Sequence, residues 1–549
     1  MKKTFFLTFL SLLLCLTLIF GGCSAPVGDG TEDDIPTPMP VPDPDDTAGT
    51  PPPADQEKPD DTPAYIDFDE EDIILTFAAL SDVHNNSETK GRKMANMMKR
   101  LNENYNVDAF LFAGDLGDKI NGASSKYNTA QFRTGFAELA RFAERAAEGN
   151  TEDEFILWCL GNHETPTSFV SEDVTLKTEK HTYEIPAGST MLDAAYIIFA
   201  QNDPYGIFMQ ETEGAPKGFR HMDVLGYDFY AVDYAYANAE SITWLDEQLT
   251  AAEAEEDSRP IFVTSHMPLT HSAQPRVLTE MLAKHPSVLY LSGHTHVPMQ
   301  CGSAISMKGT TAQVVLGPAD HANYGVSGPG YTYCSYSMKQ SAIFEIDGNG
   351  NVRVTALDLS FDVEEDGSLT KLITKKGNSA EYKIAENPLV LRTAVFSRSL
   401  LNGALVLTED SVIGSKTDPA YRAPVLAEDA IIAKKPTALS LELSIGKAEA
   451  TNLIKYYTIE VTDEDGNPVN VYDPLGKRMI NILKIGSDYI MHGNWENYPD
   501  TYNYTLYFGN LNFPSELEAR KTYTVSVTAY DDFGVASNVS STIFSIAEN

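Results

Sequence analysis

Val288-Leu-Tyr-Leu-Ser-Gly-His-Thr-His296 is an apolar run of strand length that stops at a glycine and two histidines. A short continuous apolar run without helical period reads as a strand buried on both faces, and the polar residues after it lie where that strand ends. Four other stretches repeat the pattern. Ile73 to Leu80 leads into Asp82-Val83-His84, Ala109 to Ala113 into Gly114-Asp115, Phe155 to Leu160 into Gly161-Asn162-His163-Glu164, and Ile261 to Val263 into Ser265-His266. Between them apolar residues recur at helical spacing: Met94, Met97, Met98 and Leu101; Phe136, Leu139 and Phe142; and Trp244, Leu245 and Leu249 in a helix expected over Ser241 to Asp257. Strands alternating with helices predict an α/β layered fold, β-sheets flanked by helices, with ligand-type side chains gathered at the strand ends.

One such strand end is weak evidence, because Asp and Gly punctuate strand ends generally and a lone histidine is commonly structural. Five together are not. Of the eleven histidines in the chain, His84, His163, His266, His294 and His296 all fall at these ends, a placement that core packing or surface exposure alone does not produce. His221, His271 and His321 read instead as ordinary surface or turn histidines.

The ordered motifs Asp82-x-His84, Gly114-Asp115, Gly161-Asn162-His163-Glu164, His266 and Gly293-His294-x-His296 resemble those of the calcineurin-like metallophosphoesterase family. The resemblance covers about Leu75 to Val297, with a closing hairpin to Ser360. It implies that Asp82, His84, Asp115 and His296 hold one divalent metal ion, and that Asp115, Asn162, His266 and His294 hold a second, Asp115 being shared. Two cations roughly 3.5–4 Å apart repel, and a bridging carboxylate partly neutralises them. Imidazole with carboxylate suits Mn, Zn or Fe, with Mg the poorer match. The resemblance further implies attack on phosphorus by metal-bound hydroxide, with His163 as general acid for the leaving oxygen and Glu164 orienting it. Asp118 stands where purple acid phosphatases carry a tyrosine, so the chain is similar to the broader Asp-x-His branch.

The flanks carry different signals. Lys2 and Lys3 precede an apolar run from Phe5 to Phe20 that ends in Gly21-Gly22-Cys23. This resembles a bacterial lipobox. Residues 1–23 are therefore expected to form a lipoprotein-type signal peptide, with lipid on Cys23 anchoring an extracellular protein to the membrane. Residues 24–72, rich in Pro and Asp, read as a disordered, extended tether. Residues 73–360 form the expected phosphoesterase domain, and 361–435 a connecting region of open assignment. Within the domain, Ile343 to Leu357 reads as a hairpin turning at Asp347-Gly-Asn-Gly350, a turn in preference to a calcium loop because Arg353 and Val354 follow. Residues 165–220 form a long insertion expected to shape the pocket.

From Pro436 to Asn549 the pattern is all-β: Leu439, Leu441 and Leu443 alternate, as do Tyr457, Ile459 and Val461, and Tyr523, Val525 and Val527. Leu517 followed by Tyr523-Thr-Val-Ser-Val-Thr-Ala529 resembles the tyrosine-corner strand of fibronectin type III domains, so a smaller β-sandwich is expected, serving as a spacer or docking on a cell-surface partner. Cys301 and Cys334 fit either a disulfide or two buried thiols.

The 549-residue chain carries a formal net charge of -38. That field opposes nucleic acid and other polyanions, leaving a small phosphate ester as the expected substrate. A second reading makes the chain a lipid-anchored adhesin with an inert phosphoesterase-like domain. The complete ligand set argues against it, since a degenerate site would be expected to have lost at least one donor.

Overall fold

The computed structural model describes residues 65–547, apart from 119–128, 151–153, 165–167, 256–258, 272, 300–303, 325–333, 338, 367–368, 373–382, 413–421, 451–453, 474–477, 487–500, 511 and 532–534. The signal peptide, most of the tether and Cys301 lie outside the described residues, as does the side chain of Cys334, and the disulfide question with them.

All five expected strands form: Ile73–Leu80, Ala109–Ala113, Phe155–Cys159, Ile261–Thr264 and Val288–Ser292. They divide between two sheets. The first runs Leu405–Val412, Pro388–Arg398, Val352–Val363, Gln340–Asp347, Ile73–Leu80, Ala109–Ala113, Phe155–Cys159, its last three strands being parallel. The second runs Ile305–Lys308, Thr311–Val315, Val288–Ser292, Ile261–Thr264, Tyr227–Val232, Phe219–Val224. Continuous apolar strands need cover on both faces, and the two sheets provide it for each other. Phe77 of the first packs edge-on against Phe229 and Phe262 of the second, with ring centroids 5.2 and 5.0 Å away.

Helices cover the outer faces. Glu88–Tyr105 starts at Ser87, whose hydroxyl accepts from the Lys90 amide, and buries Met94, Met97, Met98 and Leu101. Thr129–Gly149 buries Phe136, Leu139 and Phe142, and the Phe142 ring meets Phe112 edge-on at 4.9 Å. The third expected helix spans Ala239–Glu253, two residues earlier than its periodicity suggests. Asn238 accepts from the amides of Glu240 and Ser241, and Ser241 returns a bond to the Asn238 amide, so the cap sits ahead of the first apolar position.

The hairpin turns where expected. The Asp347 carboxylate accepts from the amides of Asn349 (3.0 Å), Asn351 (2.8 Å) and Asp69 (2.9 Å) and from the Asn351 side chain (2.8 Å), so the chain itself satisfies the oxygens that a calcium loop would offer to a cation. The insertion after the third motif carries secondary structure of its own among the described residues. It folds into a hairpin, Val174–Lys177 with Thr182–Ile185, and a helix, Met191–Gln201. Phe199 of that helix packs edge-on against Trp158 at 4.6 Å, while the Ile156 amide donates to Ile207 and the Trp158 indole to the Met209 carbonyl. The insertion thus covers the open edge of the first sheet.

Among the described residues, the stretch left open by sequence supplies three strands to the first sheet: Pro388–Arg398 and Leu405–Val412, which extend it, and the short Leu369–Lys371, which pairs with Val352–Val363. The all-β sandwich starts earlier than the expected Pro436, since Ile431–Lys434 of that stretch pairs with Ser440–Gly446 and Leu426, Ala430 and Ile431 lie in its core. One sheet holds Ile431–Lys434, Ser440–Gly446 and Thr501–Tyr507, and the other Ile482–Gly486, Ile454–Thr462, Thr522–Asp531 and Ser540–Ser545. Its buried alternation is Leu441, Leu443 and Ile445, not one beginning at Leu439, which precedes the strand and is exposed. The Glu518 amide donates to the Tyr523 hydroxyl at 2.8 Å, the bond that defines a tyrosine corner. Val297, the residue after His296, packs against the sandwich core.

A buried ion pair lies directly behind the third motif. Arg220 donates from both Nη atoms to Asp233 (2.8 Å each) and to the Trp158 carbonyl (3.0 Å), while Asp233 also accepts from the Leu160 amide at 2.7 Å. Both side chains are fully buried. Asp233→Ala should therefore leave a buried guanidinium unpaired and cost about 3–5 kcal/mol, whereas an apolar replacement of both partners should cost far less. Urea unfolding followed by circular dichroism measures both, and equal losses in the two variants would refute the account.

A second buried group makes stability depend on pH. His285 donates from Nδ1 to Glu253 and from Nε2 to Asp246, each at 2.8 Å. Burial opposes a charged ring, but the two carboxylates outweigh it and raise the pKa above the usual value. A raised histidine pKa means that its stabilisation is fully present below about pH 6.5 and fades as pH climbs through the folded-state value. The penalty of His285→Gln should consequently be larger at about pH 6 than at about pH 9. Denaturation at the two pH values decides it, and a pH-independent penalty would count against a charged ring.

Candidate metal centre

The parallel strands of both sheets end on one side of the molecule, and the residues that follow converge. The backbone there is unusual. Nine non-glycine residues have positive φ among the described residues, and five of them are Asp82 (54°), His84 (42°), Asp115 (51°), His294 (70°) and His296 (52°). Each left-handed conformation costs roughly 1–2 kcal/mol for a residue with a side chain, so strain is concentrated where the donors must turn inward. Two glycines allow the close approach. A Cβ on Gly161 would lie 2.0 Å from Asp115 Oδ1, and one on Gly293 1.7 Å from Ser81 Oγ.

Asp82, His84, Asp115 and His296, all buried, each offer a donor atom within 4.8 Å of the others. His296 Nε2 stands 3.0 Å from Asp82 Oδ1 and 3.2 Å from His84 Nε2. The other expected donors form an adjoining group. Asn162 Oδ1 is 3.1 Å from His266 Nε2 and 2.8 Å from His294 Nδ1. Asp115 Oδ2 joins the two, at 3.2 Å from His266 Nε2 and 4.0 Å from His84 Nε2. All seven sequence-derived donors are thus together. Ring nitrogens facing one another, with buried carboxylate oxygens between them, form a set that fits divalent transition cations.

The charge states also suit ligation, which needs ionised carboxylate and neutral imidazole. Burial opposes ionisation of Asp82 and Asp115, yet His296 beside the first and His266 beside the second outweigh it and hold both carboxyls below the usual range. His294 is pushed down to about 4 by burial and by His266 and His271. His266 runs the other way: against burial, Asp115 raises it to about 9. Its Nδ1 donates to the Ala113 carbonyl at 2.8 Å, which turns Nε2 toward Asp115 and Asn162.

His163 is half-buried at the rim. Its Nδ1 donates to the Asp118 carbonyl at 2.9 Å, and its Nε2 lies 3.8 Å from Asp115 Oδ2. Glu164 does not take the expected place beside it. One Glu164 oxygen accepts from the Gly117 amide (2.6 Å) and the other from Gly161 (2.9 Å), tying the second and third motifs together. Burial, reinforced by Asp115, raises its pKa well above the usual carboxylate range.

Two residues near the centre escaped the sequence reading. Asp118 sits 3.4 Å from His84 Nδ1 and 3.6 Å from His163 Nδ1, accepts from the Asn86 side chain, and is held below the usual carboxylate range by the hydrogen bond from the His84 ring. Its only sequence signal was a place three residues after Asp115. His271, read as an ordinary surface histidine, has Nε2 3.2 Å from His294 Nε2. By contrast, His221 pairs with Asp228 at 2.6 Å on the far edge of the second sheet. The His321 side chain lies outside the described residues.

Residues 75–298 match the family model of the calcineurin-like phosphoesterases, and this part of the chain is a domain of that kind. No curated protein matches the sequence. Among solved structures, similarity extends to GAP50, the anchor in the inner membrane complex of Plasmodium, at 14% identity over 56% of this chain and 91% of that one, TM-score 0.30. The purple acid phosphatase PPD1 of yellow lupin is similar at 12% identity over 54% and 52%, TM-score 0.33, so the chain spans about half of that enzyme. Fibronectin(III)-like modules of CbhA from Clostridium thermocellum are similar at 13% identity over 42% and 86%, TM-score 0.13. These distant likenesses carry no functional argument, which rests on the site.

Proposed function

We propose that the chain is a metal-dependent phosphoric ester hydrolase acting on small phosphate esters. The observation that carries this reading is the position of Asp115, whose carboxylate lies between two groups of donors, one buried and the other buried or half-buried. Asp82, His84, Asp115 and His296 would hold one ion, and Asp115, Asn162, His266 and His294 the other. A bound pair, Mn, Zn or Fe on this donor set, supplies Lewis-acid polarisation of the phosphoryl oxygens and an activated water. The neutral Asn162 keeps the negative charge of the donor set low enough for an anionic ester to approach. His163 presents Nε2 to the site while its Nδ1 proton is fixed on Asp118, so a proton can pass from Nε2 to the departing oxygen. Asp118 and Glu164 divide the supporting work, the first orienting His163 and the second holding the loops.

A hydrolysis panel tests the reading. Aryl monoester, aryl diester, cyclic nucleotide and glycerophosphodiester, each with Mn, Zn or Mg, should show turnover of at least one ester, faster with Mn or Zn than with Mg. Bound metal with no turnover of any ester would overturn it in favour of an inert binding protein. Export and lipidation at Cys23 are part of the proposal and rest on Lys2-Lys3, the apolar run and Gly21-Gly22-Cys23. Cys23→Ala should release the protein from the membrane fraction, and unchanged fractionation would refute anchoring. For the sandwich, the packing of Val297 on its core favours a part integral to the enzyme over a free spacer.

A further inference from the structure

The Gly117-Asp118 segment of the second motif is held by two buried carboxylates from different parts of the fold. Glu164, in the third motif, accepts from the Gly117 amide at 2.6 Å, and Glu138 Oε2 accepts from the Asp118 amide at 2.7 Å. Gly117 lets both close in, since a Cβ there would lie 2.9 Å from Glu138 Oε2 and 3.5 Å from Glu164 Oε1. A glycine between the two amides also leaves rotation free. The hold of Glu164 on Gly117 therefore does not by itself fix Asp118, and the bond to Glu138 is needed for that.

Glu138 lies in the helix Thr129–Gly149, on the face that buries Phe136, Leu139 and Phe142, and is itself buried. A carboxylate at such a place gives up water, which costs free energy unless hydrogen bonds replace it. The Asp118 amide supplies one. On the other side of the Asp118 α-carbon, the Asp118 carbonyl accepts from His163 Nδ1 at 2.9 Å. The chain of contacts thus runs from Glu138 through the Asp118 backbone to the His163 ring. It leaves Nε2 of that ring facing the centre, 3.8 Å from Asp115 Oδ2.

We infer that Glu138 is a positioning residue for His163, fixing through Asp118 the direction in which the ring delivers its Nε2 proton to the leaving oxygen. The inference rests on the general-acid reading above and deepens it. Glu138 is not among the seven donors, so replacing it leaves the ligand set intact. With the Asp118 amide unheld, the carbonyl that orients His163 shifts, and Nε2 points off line. A misplacement of about 1 Å costs as much as roughly 100-fold in rate. That loss falls on the step that needs the proton.

Three variants separate positioning from packing. Glu138→Gln keeps an oxygen that can accept from Asp118, Glu138→Asp draws the acceptor back by one carbon, and Glu138→Leu removes it while filling the space. Each is made in the full chain, and the last two also on the His163→Ala background. Metal content, thermal unfolding, kcat and KM are measured on a nitrophenyl and an alkyl ester of the type that the wild-type chain hydrolyses. Glu138→Asp and Glu138→Leu should keep both ions and lose about 10- to 100-fold in kcat on the alkyl ester. Their KM should stay nearly unchanged, and the nitrophenyl ester should suffer less. Glutamine should retain most of the activity. On the His163→Ala background neither change should lower the alkyl rate further, because the group being positioned is already gone. Should leucine unfold the chain, aspartate carries the same comparison. Equal deficits on the two esters, glutamine no better than aspartate, loss of metal, or the same added loss on both backgrounds would overturn the inference alone. A wild-type chain that hydrolyses no ester, or a His163→Ala deficit equal for both esters, would overturn the reading beneath it.

Discussion

Asp115→Ala is expected to lose at least one metal per chain and to reduce turnover by more than the roughly 100-fold that removal of an outer partner brings. Asp115 is the only one of the seven donors whose carboxylate reaches both groups, with Oδ2 at 3.2 Å from His266 Nε2 and 4.0 Å from His84 Nε2. Removing it takes away the negative charge between two cations and leaves their repulsion uncompensated. It also takes away the charge that raises the pKa of His266 against its burial, and it unpairs the His163 amide, which donates to Asp115 Oδ1 at 3.0 Å. Asp115→Asn separates these effects. The amide oxygen can still accept from His163, so the loop should stay in place while the metal is lost. Elemental analysis of the purified variants alongside turnover gives the answer, and an alanine variant that keeps two ions per chain would refute the bridging role.

How much of this was legible in the sequence follows from what each residue depends on. Strand ends were readable because strands buried on both faces are continuous apolar runs, so the break at Asp82, Asp115, Asn162, His266 or His294 is a local signal. Asp118 and His271 depend on tertiary placement. Asp118 reaches His84 only when the loops after two different strands lie side by side, and His271 reaches His294 across a turn that Gln313 and Tyr290 hold from below. The strand Pro388–Arg398 was obscured for another reason. Arg392, at a position that looks solvent-facing, is buried, pairs with Asp410 through Nε and Nη2, and caps the Ile305 carbonyl at 2.9 Å. The register also shifts between Val395 and Phe396, which breaks the simple alternation. Leu439 misled in the opposite direction. It continues the spacing of Leu441 and Leu443, yet the preceding turn, where the Leu439 amide donates to Thr437 Oγ1, keeps it outside the strand.

His163→Ala should keep both ions and lose roughly 100- to 10,000-fold in turnover, the range typical of one acid–base group. The ring is not among the seven donors, and its Nδ1 is committed to the Asp118 carbonyl at 2.9 Å, so its removal leaves the ligand set intact. The loss should depend on the leaving group. A nitrophenolate departs readily without a proton, so a nitrophenyl ester should suffer least. An alkyl alkoxide needs protonation as the bond breaks, so an alkyl ester should suffer most. Asp118→Asn provides the companion case, because the backbone carbonyl that holds His163 Nδ1 survives while the side-chain carboxylate near His84 and His163 becomes neutral. It should therefore cost less than His163→Ala on the alkyl ester. Metal content and rates on both esters decide the assignment. Loss of metal on replacing His163, or an equal deficit for both leaving groups, would remove the general-acid role and leave His163 with only the task of ordering the loop around Asp115.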